Sequence, residues 1–222
     1  MSFKIATANL PAGNKGSKAH LLKHPRRTNR AATYLKNQGV EACALQELAT
    51  VGRVGLRARN QRVLAAPFNN RGLPILGNVG NAVSVRRDIK AEELDPIRLS
   101  WGRLGLHLPV VALENRAGEK LTMVSVHLPA GPDNWYAREQ MIDSILHWAN
   151  KRVEGPVVFA GDYNTWKVPE FLEETVGDWH AKGHGVDWFV YRGCKLRNFE
   201  VHKKYVNGVF TDHPILTAEV IL

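Results

Sequence analysis

Short runs of apolar residues, bounded by Gly, Pro or Asn, recur along this chain and predict strands at about 3–9, 40–46, 79–85, 105–114, 120–128, 156–161, 185–191, 195–203 and 213–221. Two segments follow helical spacing instead. Residues 27–38 open after Pro25, and residues 134–151 set Ile142, Ile145 and Trp148 along one face beside Met141 and Ala149. Within Val111–Val126, two β-rich halves flank Asn115–Glu119, where Gly118 can supply a positive-φ turn residue, so an antiparallel hairpin is expected. Many hairpin-connected strands with few helices predict an α+β fold, a two-sheet β-sandwich with helices on both outer faces (four layers), rather than a doubly wound parallel sheet. No internal repeat or low-complexity linker interrupts the pattern, and residues 1–222 are read as one domain. In a sandwich, polar side chains at the ends of buried strands need a reason.

Composition adds limits to that picture. With 222 residues and 44% hydrophobic content, a substantial core needs no disulfide framework, and Cys43 and Cys194 read as core packing. The start, MSFKIATANL, lacks the apolar core of a secretory signal, and no run approaches the roughly 18 apolar residues of a membrane span. A soluble, cytoplasmic monomer without a membrane span is the expectation.

Charge is unevenly placed. Residues 1–87 hold fifteen Lys/Arg against two acids, Glu41 and Glu47, whereas residues 88–222 hold fifteen against nineteen. From Thr50 through Arg87 there is no acid, yet Arg53, Arg57, Arg59, Arg62, Arg71, Arg86 and Arg87 are present. Such a segment suits a polyanion, because phosphate contacts release condensed counterions; a solvated basic face is the plainer alternative.

Four strand ends carry candidate chemistry. In Val157–Asn164, a buried strand runs into Gly161 and then presents Asp162 and Asn164, which at extended spacing address one side. Glu47 ends the apolar run Ala42–Leu45, His127 follows Val124–Val126, and Asp212–His213 opens the last strand. Singly, each has an ordinary explanation: an Asx-turn, a solvated strand end, a structural histidine.

Together, in this order, they resemble the endonuclease/exonuclease/phosphatase superfamily. The resemblance runs from Ile5–Asn9, similar to the family's first strand ending in Asn, through Leu45–Gln46–Glu47 ("QE") and Ser125–Leu128 ("tHl"). It continues through Arg138–Gln140 ("R..Q"), Gly161–Asn164 ("GDfN"), Val186–Phe189 ("iDyi") and Thr211–Pro214 ("SDHrP"). The resemblance implies that Glu47, with Asn9 and Asp212, holds Mg²⁺ or Mn²⁺ through the oxygen ligands such ions prefer. It further implies that Asp162 deprotonates the attacking water, with Asn164 fixing its geometry. His213, paired with Asp187, would donate to a phosphoryl oxygen, and His127 would bind the scissile phosphate.

Two departures narrow the match. Secreted deoxyribonucleases of the family pair the residue at His127 with a glutamate upstream, but this chain has none between Thr50 and Arg87; abasic-site endonucleases usually carry tyrosine at the position of His127. Phosphoester hydrolysis is better fixed by such a resemblance than substrate is. The basic N-terminal part points to a nuclease acting on DNA, or RNA, with Arg53, Arg57 and Arg71 as phosphate contacts; Trp101, Trp166 and Trp188 are candidates for base stacking or core packing, with packing favoured for Trp188. An inositol-phosphate or phospholipid phosphoesterase is the enzymatic alternative, and a nucleic-acid-binding module without catalysis is the non-enzymatic one.

Overall fold

A computed structural model of the chain describes residues 2–10, 18–49, 61–65, 79–100, 105–205, 208–209 and 213–222. Its strands, in chain order, are β1 (Ser2–Asn9), β2 (Ala42–Ala49), β3 (Gln61–Ala65), β4 (Val79–Arg86), β5 (Lys90–Leu99), β6 (Leu106–Glu114) and β7 (Lys120–His127). They continue with β8 (Val157–Asp162), β9 (His180–His184), β10 (Asp187–Arg192), β11 (Lys195–His202), β12 (Lys204–Tyr205), β13 (Gly208–Val209) and β14 (Ile215–Ile221). The helices are α1 (Lys18–Asn37), α2 (Trp135–Arg152) and α3 (Val168–Glu173).

Two six-stranded mixed sheets result, ordered β11-β14-β1-β2-β4-β3 and β5-β6-β7-β8-β10-β9, with β12 and β13 forming a separate ribbon. Alternation along each strand divides its side chains between two layers of core. Inward-facing Phe3, Ile5, Ala42, Ala44, Met123, Val158, Ala160, Phe189 and Leu216 fill the space between the sheets. Outward-facing Val124, Val126, Val157, Phe159 and Val190 pack on Met141, Ile142, Ile145 and Leu146 of α2. On the other outer face, Ala6, Ala8, Cys43 and Leu45 meet Ala31, Ala32 and Leu35 of α1. The predicted two-sheet sandwich with helices outside is therefore the architecture observed. Among the described residues, no helix is long and apolar enough to cross a membrane.

The predicted hairpin joins β6 and β7 in antiparallel register, with Gly118 at φ 79° and the Asn115 side-chain oxygen accepting from the amides of Ala117 and Glu119 at 3.0 and 3.1 Å. Other boundaries differ from the sequence reading. Helix α1 begins at Lys18, nine residues before the predicted start, so Pro25 lies within it. Strands β3, β5 and β9 went unpredicted for a common reason. Each borders or forms a sheet edge, and β5 and β9 bury so little that KAEELDPIRL and HAKGH carry almost no apolar pattern.

Candidate active site

At one end of the inter-sheet core, the inward-facing stripe of each strand changes from apolar to polar. On β1 it runs Phe3, Ile5, Thr7, Asn9; on β7 it runs Met123, Ser125, His127; on β8 it runs Val158, Ala160, Asp162. On antiparallel β10 it runs Tyr191, Phe189, Asp187. Register aligns these ends: His127 pairs with Asp162, and Asp162 with Asp187.

Strand β2 delivers Glu47 by a different device. Cys43, Leu45 and Leu48 all face α1, at spacings of two and then three, because a bulge between Leu45 and Leu48 sets two residues opposite one on β4. Simple alternation would have placed Glu47 on the helix-facing side. Its φ of 53° costs a side-chain-bearing residue about 1 kcal/mol or more, which the flanking buried Leu45 and Leu48 hold in place.

The centre of the site is the Asp162 carboxylate, only 1% exposed. One oxygen, Oδ1, accepts from the Asn164 backbone amide at 2.8 Å, closing an Asx-turn with Asn164 at φ 51°. The other, Oδ2, accepts from Asn9 Nδ2 at 3.0 Å and faces His213 Nε2 at 3.7 Å and His127 Nε2 at 3.8 Å. On the far side of the imidazole, His213 Nδ1 meets Asp187 at 2.9 Å. Burial pushes the Asp187 carboxyl above the usual carboxylate range, against the opposing pull of the His213 hydrogen bond. The Asn164 side-chain nitrogen donates to the Leu128 carbonyl at 2.8 Å, tying the turn after β8 to the turn after β7.

Asp162, Asp187 and His213 together present ligand atoms within 4.8 Å of one another, a cluster able to hold a metal ion. A second donor set lies beside it. Asn9 pairs with Gln46 across β1 and β2, which places it next to Glu47; with its amide nitrogen given to Asp162, its oxygen is the donor it offers a cation. Carboxylate and carboxamide oxygens there are the donor chemistry that Mg²⁺ or Mn²⁺ prefers.

The structure thus brings together Asn9, His127, Asp162, Asn164, Asp187 and His213, with Glu47 next along the chain from Gln46, the β2 partner of Asn9. Asp212, Arg53, Arg57, Arg71 and Trp101 lie outside the described residues. Trp166 is 65% exposed, two residues beyond Asn164, with Lys167 Nζ 5.4 Å from its ring centre and 4.8 Å from that of Trp135. Trp188, in contrast, packs against the outer core and donates Nε1 to the Thr165 carbonyl at 3.0 Å.

Supporting residues escaped the sequence reading. Thr7 donates to Gln46 Oε1 (3.2 Å), Gln46 Nε2 to Ser125 Oγ (3.0 Å), and Ser125 to the Leu45 carbonyl (3.0 Å), a buried polar seam joining the sheets beneath the site. Buried Arg138 donates to the carbonyls of Pro129 (3.0 Å) and Gly131 (2.7 Å), bracing the turn after β7. Gln46, Ser125 and Arg138 all stood inside recognised motifs, which was the available signal.

No protein-family model and no curated protein sequence matches the chain. Solved structures do. An endonuclease/exonuclease/phosphatase protein from Bacteroides vulgatus superposes with a TM-score of 0.78 at 16% identity, covering 100% of this chain and 99% of that one. D. rerio TDP2 complexed with single strand DNA product gives 0.78 at 14%, covering 100% and 99%. The human Nocturnin catalytic domain with bound sulfate anion gives 0.74 at 15%, covering 99% and 93%. Likeness at such low identity resides in the backbone, and with the strand-end motifs it leads to one conclusion: the chain has the fold of the endonuclease/exonuclease/phosphatase superfamily.

Proposed function

We propose that the chain is a divalent-metal-dependent phosphodiesterase that hydrolyses nucleic acid, most readily DNA. The observation that carries this reading is the convergence on Asp162 Oδ2 of Asn9, His127 and His213, contributed by both sheets. Asp162 is the general base toward water, since its Oδ1 is taken up by the turn while Oδ2 faces the site. Asn164, its nitrogen fixed on Leu128, presents its oxygen to orient that water. His213, held through Nδ1 by Asp187, directs Nε2 at the substrate and donates to the phosphoryl oxygen. His127 binds the scissile phosphate from the opposite side.

Glu47 and Asn9, together with Asp212, are assigned to Mg²⁺ or Mn²⁺, because the Asp162–Asp187–His213 cluster is already engaged in hydrogen bonds suited to proton transfer. When bound, the cation supplies Lewis-acid stabilisation of charge developing on the phosphate.

Three features favour nucleic acid as substrate: the basic excess of residues 1–87, the single strand DNA product held by D. rerio TDP2, and the exposed Trp166 and Tyr136 (65% and 69%), on the turn beyond β8 and in the first turn of α2. The test is nicking of supercoiled plasmid with Mg²⁺, with Mn²⁺ and with chelator, beside Asp162→Ala protein. Metal-dependent nicking absent from the variant is expected. Release of phosphate from inositol polyphosphates or headgroup from phospholipids, without nicking, would replace the substrate.

A further inference from the structure

The polar row across the second sheet does not stop at Asp187. Strand β9 pairs with β10 without a register shift, and the residue opposite Asp187 is His184. His127, Asp162, Asp187 and His184 therefore occupy one row on four adjacent strands, with their side chains on one face. Strands lie about 4.8 Å apart, so His184 stands one strand from Asp187 and about 10 Å from Asp162. The β9–β10 turn fixes this placement, because only Gly185 and Val186 separate the pair and Gly185 takes φ 62°.

Two further residues on the same face of β9 are basic, His180 and Lys182. Both are engaged: His180 meets Asp178 at 3.1 Å and stacks on Tyr191, and Lys182 Nζ lies 5.4 Å from the Phe199 ring centre. His184 is exposed and has neither a hydrogen bond nor an ion pair with a described residue. An imidazole at this point of the row has donors to offer a second anionic group, while Asp162 and Asp187 keep that group from sitting closer in.

Resting on the phosphodiesterase reading above, we infer that His184 forms a second phosphate subsite, binding the phosphate next to the scissile one. A substrate with two adjoining phosphates is then preferred over one with a single phosphodiester. The subsite makes β9 a binding edge rather than one whose basic side chains merely discourage pairing with other chains.

The experiment compares three dinucleotides, TpT, pTpT and TpTp, with wild-type, His184→Ala and His184→Lys proteins, beside plasmid nicking. Wild-type protein should favour one phosphorylated dinucleotide by about tenfold in KM, the worth of one hydrogen bond to a charged group. His184→Ala should lose that preference while keeping wild-type kcat/KM on TpT, and His184→Lys should retain it. An equal loss by His184→Ala on all three substrates, or an undiminished preference, overturns the inference. Plasmid nicking without any preference in wild-type protein removes the subsite alone. Failure to nick plasmid removes the nuclease reading and the subsite with it.

Discussion

At the scale of single residues, the two oxygens of one carboxylate have different partners. Asp162 holds its turn with one oxygen and faces His213 with the other, so replacing it is expected to alter both local structure and the proposed reactivity. Asp187 separates these effects, because its carboxylate holds no turn and hydrogen-bonds to His213 Nδ1. Asp187→Asn should bind metal as wild type does and keep its fold, while turnover falls by about 10²-fold or more; metal titration and steady-state hydrolysis measure the two halves. An unchanged rate would show that His213 needs no acidic partner. His202 makes a separate pH prediction. Its ring bridges Tyr34 Oη (2.7 Å) on α1 and Thr217 Oγ1 (2.9 Å) on β14, and burial lowers its pKa, partly countered by Glu200. A depressed pKa means that stability is full above the unfolded value near ~6.5 and is lost as pH falls through the folded value. Chemical denaturation between pH 7.5 and 4.5 should therefore show an acid-side loss in wild type that His202→Gln lacks.

At the scale of elements, close backbone approach matters as much as side chains. A Cβ at Gly161 would overlap the Val126 carbonyl oxygen on the neighbouring strand and come within 3.0 Å of Gln46 Nε2. Gly161→Ala should cost about 2 kcal/mol or more in urea unfolding and lower activity, since it wedges β7 from β8 directly below the His127–Asp162 pair. Gly118→Ala, at φ 79° with nothing within 4 Å, should cost only about 1 kcal/mol and leave activity intact. How much of this was legible in the sequence follows from the same physics. Strands with two buried faces, such as β8 and β14, announce themselves by apolar runs, and their polar ends stand out against them. The edge strands β5 and β9 gave no such contrast, so the partner of Asp187 on β9 was invisible. The bulge that turns Glu47 is equally silent, because it depends on which residues of β4 lie opposite.

At the scale of the molecule, charge and topology act together. Residues 1–87 carry the basic excess, and β1, β2 and β4 from that part lie side by side in the sheet that supplies Asn9 and Glu47. Polynucleotide hydrolysis should therefore weaken steeply as salt rises, whereas hydrolysis of bis(p-nitrophenyl) phosphate should change little; KM measured from 50 to 300 mM salt tests this. Equal slopes would place the basic residues away from the substrate path.

One feature of the first sheet bears on how the protein is made. Strand β14 enters between β1 and β11 rather than at a border, and His213 lies just before it. Asn9 and Asp162, which touch in the finished site, are 153 residues apart in the chain. During synthesis, Asn9, His127, Asp162 and Asp187 all leave the ribosome before β14 exists to close the sheet. A nascent chain, however long it dwells beside messenger and ribosomal RNA, thus carries no assembled form of the proposed site until β14 has joined the sheet.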